Sequence, residues 1–304
     1  MKRFGAVGAA LALGLLATQA AAATAPKLED RYADDNGVKI HYVAAGKGPL
    51  VVMIHGFPDY WGTWKPMIRT LSTDHYRTAA VDLRGYNLSD KPQGVANYAM
   101  PLLISDIAAV IKAEGRTKAI VIGHDWGAAI AWQVVINRPD LVDKLVIMSV
   151  PHPTTFAHEM ATDPVQQKNS QYARNFQKEG AEKALTAEGL AGWVKDPAEK
   201  PLYVEAFKRS DFAAMLNYYK ANYPKTAGGD GPPPPELPPI KVPVLVIHGL
   251  KDSALNAAGH SGTWDHVTAD TTLLMIPTAG HFVKHDAEAL VDRTVKDWLD
   301  QRRE

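Results

Sequence analysis

Short apolar runs alternate along the chain with segments whose apolar residues recur at helical spacing. The runs are rich in Val, Ile and Leu without strict alternation, which is typical of strands covered on both faces of a sheet. The predicted core strands lie at 48–56, 76–85, 117–125, 143–151, 242–250 and 271–280. Helices are predicted near 64–73, 102–114, 127–138 and 286–300. Strands that alternate with helices indicate an α/β fold, with a mostly parallel sheet, right-handed crossovers and helices on both faces.

An earlier pair of segments departs from this alternation. LEDRYADD and VKIHYVAAG flank the dipeptide Asn36-Gly37. Asn-Gly favours a tight turn between antiparallel strands. We therefore expect a hairpin at one edge of the sheet.

One connection is much longer than the rest. Residues 152–241 separate two predicted core strands, far beyond the usual loop length, and most of this segment has a helical pattern. It returns through GGDGPPPPELPPIKVP, which we interpret as a stiff tether rather than a ligand for a proline-reading domain. The prediction is a core formed by 24–151 and 242–304, with an inserted helical cap at 152–241.

The first 23 residues differ in composition from the rest. Lys2 and Arg3 precede the apolar run FGAVGAALALGLLA and then TQAAAATAP, as in a secretory signal peptide cleaved after Ala23. A membrane anchor is the alternative, but the run is short for a span of about 20 residues and has no basic flank after it. We expect an exported protein, periplasmic or secreted, that does not associate with the membrane.

Composition narrows the class of protein further. The 304 residues are 46% hydrophobic and 22% charged, as in an ordinary globular protein. The formal net charge is zero and no basic run stands out, so nucleic acid is not an expected partner. Since the chain has no cysteine, no disulfide can form, and a hydrophobic core must hold the fold.

The segment GHDWG at 123–127 joins a predicted strand to a predicted helix. It has the form of the nucleophile elbow, G-x-S-x-G, with Asp125 in the place of the serine. An aspartate that merely caps an ordinary helix is the alternative. A carboxylate is poorly suited to acyl transfer, but it can displace a leaving group from an sp³ carbon and form an alkyl ester.

Other turns at the ends of predicted strands favour a catalytic site, because ligands bind at the carboxyl ends of strands in open α/β sheets. HGFPDYWGTW can aim a backbone N–H at the nucleophile, which predicts an oxyanion hole formed by the amides of Phe57 and Trp126. Asp252 and then His281 follow the last two strands. The chain order of nucleophile, acid and histidine is that of elbow hydrolases.

His281 and His285 are four residues apart and could face one metal ion. Neither an H-E-x-x-H pattern nor a third ligand at suitable spacing is present, so we predict no metal and no cofactor. Aromatic residues in the turns predict an apolar substrate pocket. Its predicted members are Phe57, Trp61, Trp126 and Phe282.

These motifs together resemble the α/β-hydrolase-fold epoxide hydrolases of the soluble and microbial type. The matching segments spread over roughly residues 30–300: HGFPDYWGTW, DLRGYNLSDKP, GHDWG, the cap, GLKD and AGH. The resemblance implies two cap tyrosines that hold the epoxide oxygen. They are Tyr172 in SQYARNFQKEGAEKAL and Tyr219 in MLNYYKANY, with Tyr218 and Tyr223 as the nearest alternatives.

The implied reaction converts a small, apolar epoxide and water into a vicinal diol. Asp125 would form a covalent alkyl ester, and His281, oriented by Asp252, would activate the water that hydrolyses it. Tyr172 and Tyr219 would hydrogen-bond the ring oxygen and protonate it. The chain order and the resemblance agree on the roles of Asp125, Asp252 and His281, and the roles of the tyrosines are implied by the resemblance.

Three other functions remain open at this point. Haloalkane and haloacetate dehalogenases use the same aspartate, histidine and ester. Trp126 could hold a halide, Phe57 has no side-chain N–H to help, and Trp193 of the cap could supply the second donor. The arginine that holds a haloacetate carboxylate is replaced by Trp126. A carboxylesterase is disfavoured because no serine stands at the elbow, and a non-catalytic binding protein would not need the complete set of site residues.

Overall fold

The computed structural model describes residues 26–228 and 236–303. The predicted signal peptide at 1–23 and part of the Pro-rich return lie outside the described residues. Within the described part of the chain, no helix combines the length and the apolar character needed to cross a membrane.

A single eight-stranded sheet contains the strands of the described chain. They are β1 (Glu29–Asp35), β2 (Val38–Gly46), β3 (Leu50–Ile54), β4 (Arg77–Val81), β5 (Ala119–His124), β6 (Val142–Met148), β7 (Val244–Gly249) and β8 (Thr271–Ile276). The spatial order is β1-β2-β4-β3-β5-β6-β7-β8. β1 pairs antiparallel with β2, and β2 pairs antiparallel with β4. The six strands β3 to β8 are parallel to one another. The α/β fold and its core strands are confirmed.

The predicted hairpin is also confirmed. β1 pairs with β2 from Glu29 opposite Ala44 to Asp35 opposite Val38. The two residues between the strands, Asn36 and Gly37, have φ values of 52° and 89°. Both are left-handed, as the tight hairpin turn requires.

Helices cover both faces of the sheet. They are α1 (Lys65–Ser72), α2 (Met100–Ala113), α3 (Trp126–Asn137), α4 (Pro153–Thr162), α5 (Pro164–Asn169), α6 (Gln171–Phe176), α7 (Ala187–Leu190), α8 (Lys200–Arg209), α9 (Phe212–Asn222), α10 (Val283–Asp286) and α11 (Glu288–Asp300). Residues of β3 alternate between two apolar clusters, because successive strand side chains point to opposite faces. Val52 and Ile54 pack with α2 and α3, whereas Val51 and Met53 pack with α1 and α11.

Helices α4 to α9 all lie between β6 and β7, in the segment predicted to form the cap. The buried apolar residues of α6 to α9 join the apolar cluster that also contains residues of α2 and α3. The cap therefore packs on the face of the core from which α3 leaves the sheet. The exact limits of core and cap stay a prediction.

A buried ion pair ties the turn after β4 to α2. Arg84 donates from Nε and from a terminal nitrogen to the two carboxylate oxygens of Asp106, each at 2.6 Å. It also donates to the carbonyl of Asn97 at 2.7 Å. Both charged side chains are only 1% exposed. A buried charge destabilises the fold unless it is paired, so removing one partner leaves the other as an uncompensated buried charge.

We predict that Asp106→Ala lowers the free energy of unfolding by about 3–5 kcal/mol, since the buried guanidinium of Arg84 loses its bidentate carboxylate. The contact that remains, to Oδ2 of Asp35, is longer at 3.3 Å. Urea denaturation measures this change. The matched control is Asp143→Ala, which breaks an exposed pair with Lys118 at 3.8 Å and should cost less than about 1 kcal/mol. Equal losses in the two variants would contradict the assignment.

Candidate active site

Asp125 occupies the turn between β5 and α3 with φ 52° and ψ −124°. Positive φ is strained for any residue with a Cβ, and such strain is characteristic of functional turns. The flanking glycines allow the turn. A Cβ at Gly123 would lie 2.3 Å from the carbonyl oxygen of Gly127, and one at Gly127 would lie 2.0 Å from that of Ile54. The backbone around this turn is therefore packed more closely than residues with a Cβ at Gly123 and Gly127 would allow.

The carboxylate of Asp125 is held at both oxygens. The backbone N–H of Phe57 donates to Oδ1 at 2.7 Å. Oδ2 lies 3.3 Å from Nε2 of His281. Asp125 is only 6% exposed, so these contacts replace most of its water. Trp126 is the first residue of α3. The contribution of its backbone N–H to an oxyanion hole stays a prediction.

His281 is oriented through its other ring nitrogen. Nδ1 lies 2.8 Å from Oδ2 of Asp252. The second oxygen of Asp252 accepts hydrogen bonds from the amides of Ala254 at 2.8 Å and Leu255 at 2.9 Å. The carboxylate is thus fixed by the turn after β7, and it fixes the imidazole in turn.

The backbone of His281 is fixed as well. Its carbonyl accepts one hydrogen bond from Nε2 of His124 at 2.8 Å and one from Oγ of Ser149 at 2.9 Å. His124 thereby joins the end of β5 to the loop after β8. No motif in the sequence pointed to Ser149, which has a left-handed φ of 74° at the end of β6.

The protonation states of Asp125, His281 and Asp252 are governed by the charges that these three side chains place on one another. Burial disfavours the charged imidazole, but the carboxylates of Asp252 and Asp125 outweigh it and raise the pKa of His281 to about 10. Burial also opposes ionisation of the two carboxyls, yet the contact with His281 leaves the pKa of Asp125 and of Asp252 below the ordinary value. The resting site therefore holds an imidazolium between two carboxylates.

The two predicted cap tyrosines come from different helices and meet above the nucleophile. The rings of Tyr172 on α6 and Tyr219 on α9 lie 6.1 Å apart, at 78° to each other. Both line a cavity of about 770 Å³ that is also lined by Asp125. Burial, together with the negative charge of Asp125, raises the pKa of both phenols well above 10. Both therefore keep their protons at neutral pH and can donate them.

The nearest alternative tyrosines are engaged elsewhere. The hydroxyl of Tyr218 donates to the carbonyl of Arg84 at 2.8 Å, inside the core. Tyr223 lines the cavity, but its hydroxyl donates to Oγ of Ser170 at 2.8 Å.

The predicted aromatic pocket residues do not lie together. Of the four, Trp126 lines the cavity, and Phe57, Trp61 and Phe282 are not among the described residues that line it. Most of the apolar wall was not predicted from the sequence. Its members include Met100, Trp132, Val150, Phe156, Met160 and Leu255.

One signal for this wall was present in the sequence. Ala129 and Trp132 follow Asp125 by four and seven residues, the spacing of one helix face, and both line the cavity. The other wall residues come from loops and cap helices, whose docking the sequence pattern does not specify.

The predicted absence of a metal site concerns His281 and His285. Their nitrogens serve other contacts, since His281 Nδ1 meets Asp252 and His285 Nε2 lies 2.8 Å from Oγ1 of Thr63. Across 26–228 and 236–303, no three His, Cys, Asp or Glu side chains are grouped so that they could hold a metal ion.

Comparison with known proteins gives the family. A family model described as "alpha/beta hydrolase fold" matches residues 49–288. The chain belongs to this family. It is 34% identical over 285 residues to the AB hydrolase superfamily protein YfhM of Bacillus subtilis, a match that covers 88% of this chain and 97% of the relative.

Within the family, the chain is similar to epoxide hydrolases. It is 30% identical to epoxide hydrolase 3 of Xenopus tropicalis, over 87% of this chain and 76% of the relative. The crystal structure of Bacillus megaterium epoxide hydrolase with an inhibitor superposes with a TM-score of 0.82, at 31% identity, over 89% of this chain and 100% of that one. A mutant of the same enzyme was solved with its product, a naphthyloxy-propane-diol (TM-score 0.80).

The electrostatics of the site predict how His281 responds to the charge of Asp125. In Asp125→Asn one of the two carboxylates that favour the imidazolium becomes neutral, so the pKa of His281 should fall well below the value of about 10 in the parent protein. An NMR titration of the histidine ring measures it. Asp140→Asn, a change at an exposed pair with Arg138, is the control and should leave it unchanged. An unaltered pKa in Asp125→Asn would refute the charge balance.

Proposed function

We propose that the protein hydrolyses epoxides to vicinal diols through an alkyl ester on Asp125. One observation carries the proposal: a buried carboxylate on the elbow and the rings of two cap tyrosines line the same cavity. A carboxylate nucleophile alone is compatible with several leaving groups. Paired phenol donors suit an oxygen that stays attached to the product and needs a proton.

In the first step a carboxylate oxygen of Asp125 attacks one ring carbon in line. Oδ1 accepts a short hydrogen bond from the amide of Phe57 at 2.7 Å, so we assign the attack to Oδ2, whose contact with Nε2 of His281 is longer at 3.3 Å. The new C–O bond forms as the ring C–O bond breaks, and the electron pair moves to the ring oxygen. Tyr172 or Tyr219 gives that oxygen its proton and becomes a phenolate.

Ester formation changes the charge around His281. The neutral ester no longer favours the imidazolium, and the new phenolate is a strong base. The proton of His281 therefore passes to the phenolate and restores the neutral tyrosine. Neutral His281, still oriented by Asp252 at 2.8 Å, can then deprotonate a water. The resulting hydroxide attacks the ester carbonyl, the bond from that carbon to the alkyl oxygen breaks, and the second hydrogen of the water passes to the alkyl oxygen. The diol leaves, and the carboxylate of Asp125 and the imidazolium of His281 are restored.

The tyrosine roles predict a specific kinetic defect. Tyr172→Phe and Tyr219→Phe should each slow epoxide disappearance in a single turnover by about 100-fold, because each removes one donor to the developing alkoxide. Tyr223→Phe is the matched control, since its hydroxyl is already bonded to Ser170, and should react within about threefold of the parent enzyme. Comparable slowing in the control would remove the basis for choosing Tyr172 and Tyr219.

A dehalogenase would use the same ester but must cradle a halide with side-chain N–H groups. Phe57 has none. The indole N–H of Trp193, the remaining candidate, donates to the carbonyl of Pro58 at 3.1 Å and is not free for a halide. A non-catalytic binding protein would not need the triad of Asp125, His281 and Asp252.

Parallel assays separate these functions. With matched epoxide and haloalkane substrates, we expect diol formation, little halide release, and neither product from Asp125→Ala. Halide release without diol formation would favour the dehalogenase, and no product from either substrate panel would favour a binding protein.

We also propose that the mature protein is exported, on the basis of the basic start, apolar run and small residues of 1–23. Expression of the full chain in a bacterium should yield, outside the cytoplasm, a protein that begins at Thr24 when its N-terminus is sequenced. An uncleaved chain retained in the cytoplasm would contradict export.

A further inference from the structure

The strand between the nucleophile and the acid carries neither of them. β6 lies between β5, which leads into Asp125, and β7, which precedes Asp252. His281 belongs to the loop after β8, the last strand of the sheet. A base must be held within hydrogen-bond reach of the water it activates, so this loop has to be fixed relative to β5. The residue that follows β6 supplies such a contact.

Ser149, the residue after β6, is bonded to the loop of the histidine and to the strand of the acid. Its hydroxyl donates to the carbonyl of His281 at 2.9 Å. Its own carbonyl lies 3.1 Å from Nδ1 of His248 on β7. One residue earlier, the carbonyl of Met148 accepts from the amide of Asp125 at 3.4 Å. The end of β6 therefore contacts the backbone or the strand that carries each member of the triad.

Ser149 also has an unusual backbone for its residue type. It is buried, and its φ of 74° lies in the left-handed region, which asparagine, aspartate and histidine tolerate best among residues with a Cβ. The other non-glycine residues of the described chain with a left-handed φ are all of those types: Asn36, His75, Asn87 and Asp125. Glycine would meet this φ without strain but has no hydroxyl. The strained serine thus retains a bond to His281 that glycine could not make, and such strain clusters at functional sites.

The carbonyl of His281 accepts two hydrogen bonds, one from each of two neighbouring strands. The second comes from Nε2 of His124 at the end of β5, at 2.8 Å. Displacement of this backbone would change the 3.3 Å contact between Nε2 of His281 and Oδ2 of Asp125. Ser149 is not among the described residues that line the cavity at Asp125, so it acts through the backbone of His281 and not on the substrate.

We infer that Ser149 is a positioning residue for the hydrolytic half of the reaction. This inference rests on the proposed function. In ester formation the reacting groups are Asp125 and a tyrosine, and the amide of Phe57 holds the carboxylate. In ester hydrolysis neutral His281 must take a proton from a water placed against the ester carbonyl, so this step depends on where the imidazole lies. Without the Ser149 hydroxyl, the His281 carbonyl keeps its bond from His124 but loses the one from β6, and hydrolysis should slow selectively.

Ser149→Ala tests the inference, with phenyloxirane as the probe. In a single turnover with excess enzyme, epoxide loss should stay within about threefold of the parent enzyme. Diol formation should slow at least about 10-fold, because a small displacement of a catalytic group lowers the rate steeply. Mass spectrometry of acid-quenched enzyme should show the alkyl ester of Asp125 accumulating. In the steady state, kcat and KM should fall by the same factor, which leaves kcat/KM within about threefold.

Two further variants separate this role from a merely structural one. Ser149→Gly removes the same hydroxyl and relieves the left-handed strain, so it should fold and show the same selective defect. Ser89→Ala is the matched control, since Ser89 is also buried and its hydroxyl donates to the carbonyl of Asp82 at 2.6 Å. It should change neither half-reaction by more than about threefold. Equal slowing of epoxide loss and diol formation in the Ser149 variants, or unchanged diol formation, would overturn the inference and leave epoxide hydrolysis intact. Absence of both ester and diol from the parent enzyme would instead contradict the proposed function.

Discussion

The close approach of backbone around Asp125 is the constraint on which the rest of the site depends. A non-glycine residue at φ 52° carries strain of about 1–3 kcal/mol, which the surrounding fold must offset. The space is so tight that a Cβ at Gly56 would lie 2.3 Å from Oδ1 of Asp125. This packing presents the carboxylate to the amide of Phe57 and to His281 at the same time. The parallel sheet supplies the rigid base, because β5 lies between β3 and β6.

That placement also determines the balance of charge among Asp125, His281 and Asp252, in a site largely shielded from solvent. One imidazolium between two carboxylates keeps each member in the protonation state that the resting enzyme needs. In the proposed mechanism Asp125 would lose its charge when it is alkylated, so the interaction that holds the proton on His281 would weaken at the step that requires a base.

The parts of the molecule carried by short motifs were predictable from the sequence. The sheet, the hairpin and the turns that carry Asp125, Asp252 and His281 have local signals in glycine spacing and apolar runs. Most of the pocket has no such signal beyond the face of α3 that carries Ala129 and Trp132. Phe57 and Phe282 were expected to line the pocket, and their rings instead pack against residues of the cap. Which rings line a cavity depends on how cap helices dock, and that docking is set by contacts distant in sequence, such as the stack of Trp193 on Phe282.

The covalent ester on Asp125 is the central claim, and oxygen isotopes test it directly. A single turnover with excess enzyme in oxygen-18 water, followed by mass spectrometry of the peptide that contains Asp125, follows the oxygen of the attacking water. The account predicts that the label enters the carboxylate of Asp125 and that the first diol formed carries an unlabelled oxygen from the enzyme. Label in that first diol, with Asp125 unlabelled, would mean direct attack of water on the epoxide and would contradict the account.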